Sequence, residues 1–161
     1  TTLEKSILTL LDKLGPKKIV VVSSAPQIRF PDCYGIDMSR MSDFVAFRAM
    51  IELLKDQGKD YLLGEVYDRC LQSTGGENHV KQLYDQFTND EISSKIAEII
   101  RPKSIHAEVE VVFQTVENLH KACPGHLGDW YFTGNYPTPG GMKVANRAFV
   151  NYMEGKLIRA Y

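Results

Sequence analysis

The sequence lacks the marks of a membrane, secreted or nucleic-acid-binding protein. No apolar run approaches the roughly 20 residues that cross a bilayer, and residues 1–4 lack the basic-then-apolar pattern that opens a signal peptide. Acidic and basic residues are interspersed, the net charge is −1, and no clustered basic face of the kind that binds nucleic acid is found. We therefore expect a protein that contacts neither a membrane nor nucleic acid.

Cysteine is scarce. The three cysteines, Cys33, Cys70 and Cys123, are odd in number and widely spaced. This argues against a disulfide framework and is typical of a reducing compartment, so we expect a cytoplasmic location. We interpret Cys33 and Cys70 as ordinary small buried side chains.

The composition is that of an ordinary globular domain. Hydrophobic residues make up 43% and charged residues 24% of the 161 residues, and this length is sufficient for one domain with its own core. No internal repeat or low-complexity segment divides the chain. We therefore treat residues 1–161 as a single unit.

The start of the sequence predicts a helix, a tight turn and a buried strand. Thr1 and Glu4 have the spacing of a capping box, and Gly15 with Pro16 ends the helix. One face of this helix carries five apolar residues: Leu3, Ile7, Leu10, Leu11 and Leu14. The unbroken apolar run at 19–22 is typical of a strand buried on both faces of a parallel sheet.

The rest of the chain predicts many helices and one more strand. The predicted helices, in chain order, cover residues 42–56 (capped by Ser42), 61–71, 79–87, 88–100 and, after a strand at 109–113, 116–122 and 142–152. The fold class is therefore α/β, with few parallel strands and many helices. So small a sheet cannot cover so many helices, which indicates that further strands lie outside these residues. We expect exposed apolar surface where they would pack.

The loop after the first strand carries a specific pattern. Residues 24–31 read SAPQIRFP and residues 34–38 read YGIDM, which resembles the segment after the phosphoribosyl-pyrophosphate helix of amidophosphoribosyltransferases. In that family two aspartates, a short loop and Gly-Thr-Thr open this helix, and Thr1 with Thr2 resembles its last two residues. Weaker resemblances follow in order at residues 90–92, 111–113, 116–119 and 132–138. Together they cover roughly two thirds of the chain.

The resemblance implies the C-terminal portion of a type I phosphoribosyltransferase-like domain. The parent enzyme would make phosphoribosylamine, for purine biosynthesis, from phosphoribosyl pyrophosphate and the ammonia that an N-terminal glutaminase domain releases from glutamine. The family also implies magnesium, with its ligands outside residues 1–161, purine nucleotides as ligands, and a homo-oligomer. Residues 1–161 contain neither the aspartate pair nor the glutaminase domain nor the remaining strands, so we expect them to be inactive alone and to contain no catalytic residue.

The resemblance assigns one part of the substrate site to this chain. Thr1, Thr2 and Leu3 would hold the 5′-phosphate, since the free N–H groups and the dipole of a helix N-terminus favour an anion; an ordinary helix cap is the alternative. Arg29, Tyr34 and Asp37 lie in the loop beyond the strand, where open α/β sheets bind ligands.

The roles of two loop residues stay open. Asp37 fits a ligand contact, a helix cap, or a hydrogen bond that fixes the loop. Arg29 fits a phosphate contact or a salt bridge, and we favour the salt bridge. We interpret residues 130–132 and Tyr136 as packing anchors, and His79 and His106 as surface residues.

Two departures from the family pattern affect function. Residues 53–87 have no counterpart in it and are interpreted as a helical insertion, with a role in oligomer contacts, in binding, or in neither. One branch of the family holds an iron–sulfur cluster through a Cys-x-x-Cys, where this chain reads GDWY at 128–131. These side chains supply no thiolate, so we expect no cluster.

Two further hypotheses remain. His120, Cys123 and His126 are spaced by threes, which fits either a metal site or a polar loop. We favour the polar loop because no carboxylate or second cysteine completes the set convincingly, although Asp129 is near. For the whole chain, the alternative to an enzyme fragment is a non-catalytic α/β interaction or regulatory module.

Overall fold

Two parallel strands and a set of helices make up the fold. The computed structural model describes residues 2–32 and 38–160, apart from the side chain of Lys5. Strands β1 (Lys18–Ser23) and β2 (Glu108–Phe113) pair in parallel, with Lys18 opposite Glu108 and Ser23 opposite Phe113. The predicted α/β class, with few parallel strands and many helices, is confirmed.

The helices precede, separate and follow the strands. The first helix begins with a π-helical segment, Leu3–Ile7, and continues as α1 (Leu8–Asp12). Between the strands lie a short 3-10 helix, Met41–Asp43, and the helices α2 (Val45–Asp56), α3 (Tyr61–Gln72), α4 (Lys81–Tyr84) and α5 (Asn89–Ile100). After β2 come α6 (Val116–Ala122), α7 (Trp130–Thr133) and α8 (Pro139–Met153). None of the helices within residues 2–32 and 38–160 has both the length and the apolar character needed to cross a bilayer.

Several predicted helix boundaries are wrong for local reasons. The helix expected from Ser42 begins at Val45, because Phe44 has extended dihedral angles and ends the 3-10 turn. The helix expected over 79–87 is reduced to α4. Helix α8 begins at Pro139, earlier than predicted, because Thr138 caps it and proline fits the first turn.

The main core is helical. Helix α2 packs against α5, α3 packs against α8, and α5 packs on β2. Phe47 and Phe149 are fully buried and meet edge to face, with ring centroids 6.2 Å apart. Aromatic side chains from α2 and α8 therefore hold the helices together away from the sheet.

The first helix packs differently from the prediction. Leu8 is buried with Ile19 in a small separate cluster, against which Leu3 also packs. The other four residues of the predicted face, Ile7, Leu10, Leu11 and Leu14, are exposed. They are exposed because no described residue lies over that side of the helix, so the expected burial of this face is wrong.

Strand β1 is buried on one face only, so the prediction of two buried faces is also wrong. Ile19 lies in the small cluster, whereas Val20 is 48% and Val22 is 73% exposed. Val22 is opposite Val112 in the register, and these two residues with Val20 form what we call the open face of the sheet. No helix of the described chain covers it. Exposed apolar surface is therefore present, as expected.

Helix α5 begins with the predicted capping box. Thr88 Oγ1 accepts a hydrogen bond from the Glu91 N–H, and the Glu91 carboxylate accepts one from the Thr88 N–H at 2.8 Å. We expect Thr88→Ala to lower the free energy of unfolding by about 1 kcal/mol, measured by urea denaturation. Thr74→Ala, in an exposed loop, is the control; an equal loss in both variants would contradict the capping role.

Asp12 links the first helix to the segment before β2. Its Oδ1 accepts the N–H groups of Ala107 at 2.8 Å and His106 at 3.0 Å. The Ala107 hydrogen bond is the main reason that the pKa of Asp12 lies below its usual value of 3.8, with His106 adding to the effect and burial opposing it.

A pH-dependent contribution to stability follows from this lowered pKa. The ionised Asp12 is favoured in the folded state, so its contribution is present above the unfolded pKa and is lost as pH falls through the folded pKa. We expect Asp12→Asn to be less stable than wild type at neutral pH, with the difference shrinking on acidification in urea titrations. Glu52→Gln, which changes an exposed carboxylate of α2, should keep the wild-type profile; a difference for Asp12→Asn that does not change with pH would refute the assignment.

Candidate functional site

The carboxyl ends of both strands meet at one edge of the sheet. The Gln114 N–H donates to the Ser23 carbonyl at 3.2 Å, which holds the two strand ends together. A cavity of about 950 Å³ runs along β2 and α5 and reaches the loops that follow both strands. Ligands bind at this edge in open α/β sheets, so it is the candidate site.

Arg29 is held in a fixed orientation at this edge. Its Nε and Nη2 donate to Gln27 Oε1 at 3.1 and 2.6 Å, and Nη2 also donates to Asn89 Oδ1. The guanidinium carbon lies 5.1 Å from the centroid of the Tyr84 ring, within range of a cation–π contact. Arg29 lines the cavity.

Arg29 forms no salt bridge with any residue that the structure describes. Within residues 2–32 and 38–160 this guanidinium contacts amide oxygens and an aromatic ring, and pairs with no carboxylate. Burial lowers the pKa of Arg29, while the neighbouring Tyr84 and Asp85 oppose that shift. The amide oxygens of Gln27 and Asn89 take the place of a carboxylate among the described contacts.

The loop that carries Arg29 is fixed from three sides. Gln27 Nε2 donates to the Asn89 carbonyl and to Ser93 Oγ, both at 2.8 Å. The Tyr84 hydroxyl donates to the Arg29 carbonyl at 3.0 Å, and the Arg29 N–H donates to the Tyr131 carbonyl at 2.8 Å. Burial raises the pKa of Tyr84, so this hydroxyl stays a donor. These anchors come from distant segments, which is why the sequence alone did not reveal them.

The start of the first helix is open to solvent. Thr2 has helical dihedral angles and is exposed, Leu3 is half-buried, and no side chain caps this end within the described residues. Thr1, and with it the predicted capping box, lies outside the described residues. No hydrogen bond among the described residues joins Thr2 or Leu3 to Arg29.

Tyr34 and Asp37 lie outside the described residues, as does Cys33. The flanking segments are anchored: the Asp32 N–H donates to the Met38 carbonyl at 3.2 Å, and the Tyr136 hydroxyl donates to the Pro31 carbonyl at 2.6 Å. Tyr136 is buried, which confirms it as a packing anchor.

Cys70 is also buried, as predicted, and burial raises the pKa of its thiol to about 12.

The structure does not support a metal site in the described part of the chain. His120 Nε2 lies 3.0 Å from Asp129 Oδ2, but His126 Nδ1 instead accepts the Gly128 N–H. Among residues 2–32 and 38–160, no three His, Cys, Asp or Glu side chains come together in a way that could hold an ion. The resemblance expects the magnesium ligands outside this chain, and the described residues offer no set of donors that would hold the ion.

Residues 53–87 are largely helical and are tied to α8. Asn146, which is buried, donates to Ser73 Oγ and to the Glu77 carbonyl, and its Oδ1 accepts the His79 N–H at 3.0 Å. His79 is half-buried, with its Nδ1 buried, so it lies at the surface only in part, whereas His106 is exposed as predicted. Whether this segment is an insertion stays a prediction.

Comparison with known proteins identifies related sequences. The amidophosphoribosyltransferase of Pasteurella multocida is 35% identical over 85 residues, which are 52% of this chain and 17% of that protein. Those of Haemophilus influenzae and Escherichia coli are each 32% identical, over 60% and 48% of this chain and 20% and 15% of their own lengths. No family model and no solved structure matches the chain. The match thus covers about half of this chain and at most a fifth of the relatives it matches.

Proposed function

We propose, from the relationship of this chain to the amidophosphoribosyltransferases, that it is the C-terminal part of such an enzyme. The parent protein would be cytoplasmic and would make phosphoribosylamine from phosphoribosyl pyrophosphate and glutamine-derived ammonia. The observation that carries the proposal is the identity of 30–35% over about half of the chain. The exposed start of the first helix and the anchored loop at the strand ends agree with it.

The role proposed for this chain is to hold the 5′-phosphate. The first N–H groups of a helix have no intrahelical partner, and the helix dipole favours negative charge there. Thr2 and Leu3 supply such groups at an end that is open to solvent, and Thr1 would add another. Displacement of pyrophosphate by ammonia would take place on residues of the parent enzyme outside this chain.

We propose that the magnesium of the parent enzyme is held outside this chain. Magnesium requires oxygen ligands in near-octahedral geometry, and the described residues bring no such carboxylates together. The GDWY segment at 128–131 supplies no thiolate, so the proposed enzyme contains no iron–sulfur cluster held at this position. Purine nucleotides would bind to the parent protein.

The open face of the sheet supports further partners. The described sheet has only two strands, so β1 has one unpaired edge, and Val20 and Val22 beside it are exposed. Unpaired strand edges and exposed apolar faces are usually covered in the intact protein. We propose that the remaining phosphoribosyltransferase strands pack here, within a parent that also carries a glutaminase domain and forms a homo-oligomer.

A titration with ribose 5-phosphate tests the proposed phosphate site. We expect the backbone amide signals of Thr2, Leu3 and Glu4 to shift and saturate in NMR spectra of the labelled chain. Thr2→Glu should abolish the response through repulsion of like charges, and Ser6→Glu, on an exposed position of the same helix, should keep it. Unmoved amides at the helix start would contradict the phosphate role.

An activity assay tests whether this chain is an inactive part of the proposed enzyme. We expect the 161-residue chain alone to form no phosphoribosylamine from phosphoribosyl pyrophosphate and ammonia, and product formation would refute this proposal.

The second candidate function, a non-catalytic interaction module, is favoured by the exposed apolar residues of the first helix and the open face. Amide signals at the helix start that do not shift with ribose 5-phosphate, combined with ligand or protein binding elsewhere, would support that module.

A further inference from the structure

We propose that Arg29 binds an oxyanion, the phosphate or carboxylate group of a small molecule, in the cavity at the carboxyl ends of β1 and β2. This site is separate from the one at the start of the first helix. The inference does not depend on the proposed function, because it stands on the contacts of Arg29 alone.

The cavity contains three cationic side chains, and two of them are already engaged. Lys18 forms an ion pair with Glu110 across the strands. The Arg101 guanidinium donates to three backbone carbonyls that precede β2, those of Ile105, His106 and Ala107. Arg29 contacts only the neutral oxygens of Gln27 and Asn89 and the ring of Tyr84. Among the described residues that line the cavity, Arg29 is therefore the cation that pairs neither with a carboxylate nor with several backbone carbonyls.

The free part of the guanidinium is already oriented. Its Nε and Nη2 hydrogen bonds and the Tyr84 ring hold the plane of the group in place. Nη1 makes no hydrogen bond to any described residue, and Arg29 lines the cavity. A guanidinium fixed in this way loses little conformational freedom on binding, and its planar fork matches the oxygens of a carboxylate or phosphate.

The surroundings of Arg29 favour a counter-ion. A partly buried cation without an acidic partner is less stable than the same cation paired with an anion. Burial lowers the pKa of Arg29, and the charge of the nearby Asp85, which makes no hydrogen bond to the guanidinium, offsets this shift only in part. An anionic ligand would supply the missing negative charge at a position that solvent reaches only in part.

Two acidic groups of the cavity lie away from Arg29. Asp90, which is exposed and follows the Arg29 partner Asn89 on α5, is an acidic lining residue at the Arg29 end. Glu98 lies nine residues beyond Asn89 on the same helix, or about 13 Å along its axis. Glu108 lies at the start of β2, about 16 Å from the strand end. The acidic groups Glu98 and Glu108 thus mark the opposite end, where an anion would be repelled.

NMR titrations test the proposal on the 161-residue chain. Labelled protein is titrated separately with inorganic phosphate, ribose 5-phosphate and acetate, with sodium chloride at matched ionic strength as the reference. We expect the Arg29 Nε–H signal and the amides of Asn89 and Ser93 to shift and saturate in the millimolar range. A response to both phosphates alone indicates a phosphate ligand, and a response to acetate alone indicates a carboxylate; either supports the site.

Variants separate a specific site from a general charge effect. Arg29→Met should weaken binding at least about tenfold, because a charge-assisted hydrogen bond is lost. Arg29→Lys, which keeps the charge without the fork, should give intermediate binding. Lys143→Met, which removes an exposed cation of α8, should bind like wild type.

Two results would overturn the proposal. One is an Arg29 signal in the wild-type protein that stays unmoved by every anion, a result that needs no variant and no assumption about its folding. The other is equal affinity in wild type and Arg29→Met. Thr2→Glu should leave the Arg29 response intact. A negative result for the phosphate site at the helix start and one for the Arg29 site are therefore distinguished by different NMR signals.

Discussion

Replacing Phe149 by alanine is expected to lower the free energy of unfolding by about 4 kcal/mol. Phe149 is fully buried in α8 and meets Phe47 of α2 edge to face, and its ring stacks near Tyr152 with centroids 6.5 Å apart. Truncation removes buried apolar surface and leaves a cavity that the packed helices cannot close completely. The loss is a large fraction of the stability of an ordinary domain.

Urea denaturation followed by circular dichroism measures this change. Leu157→Ala is the matched control, because Leu157 is 76% exposed and its truncation should change stability by no more than about 0.5 kcal/mol. If Phe149→Ala changed stability as little as the control, α2 and α8 would not form a cooperative core. A large difference between the variants would show that the helical part folds around its own core despite the small sheet.

Local signals in the sequence predicted the elements well. Thr88 and Glu91 interact only with each other and with nearby backbone, so a spacing of three residues was sufficient to predict the capping box. The helix predicted over 88–100 is present as α5 (Asn89–Ile100), because the spacing of its apolar residues is a local pattern. The strand predicted at 109–113 is present as β2, one residue longer at its start.

Features that depend on distant segments were predicted less well. The run at 19–22 indicated a strand with two buried faces, but the structure leaves Val20 and Val22 exposed, since burial depends on what packs there and not on the strand's own residues. The partners of Arg29 were missed for the same reason: Asn89 lies 60 residues further along the chain. A sequence pattern shows that a charge needs a partner, but it does not show which one.

Replacing Val22 by lysine is expected to suppress self-association of the chain. Val22 is 73% exposed and lies opposite Val112 on the open face, beside the unpaired edge of β1. An exposed apolar face next to an open strand edge is a template for association, and lysine at such positions is a common natural protection. We therefore expect the wild-type chain to associate with rising concentration, and Val22→Lys to remain a monomer over a concentration range at least about tenfold wider.

Sedimentation velocity over a concentration series measures this effect. Leu157→Lys introduces the same charge at a residue of similar exposure, 76%, outside the sheet, and should associate like wild type. Val22→Lys should leave the urea midpoint nearly unchanged, because an exposed substitution shifts stability by no more than about 0.5 kcal/mol. A wild-type chain that stays monomeric at every concentration would contradict the role given to the open face. Both lysine variants change the net charge from −1 to 0, so association lost equally in both would show an effect that does not depend on the open face and would also contradict its role.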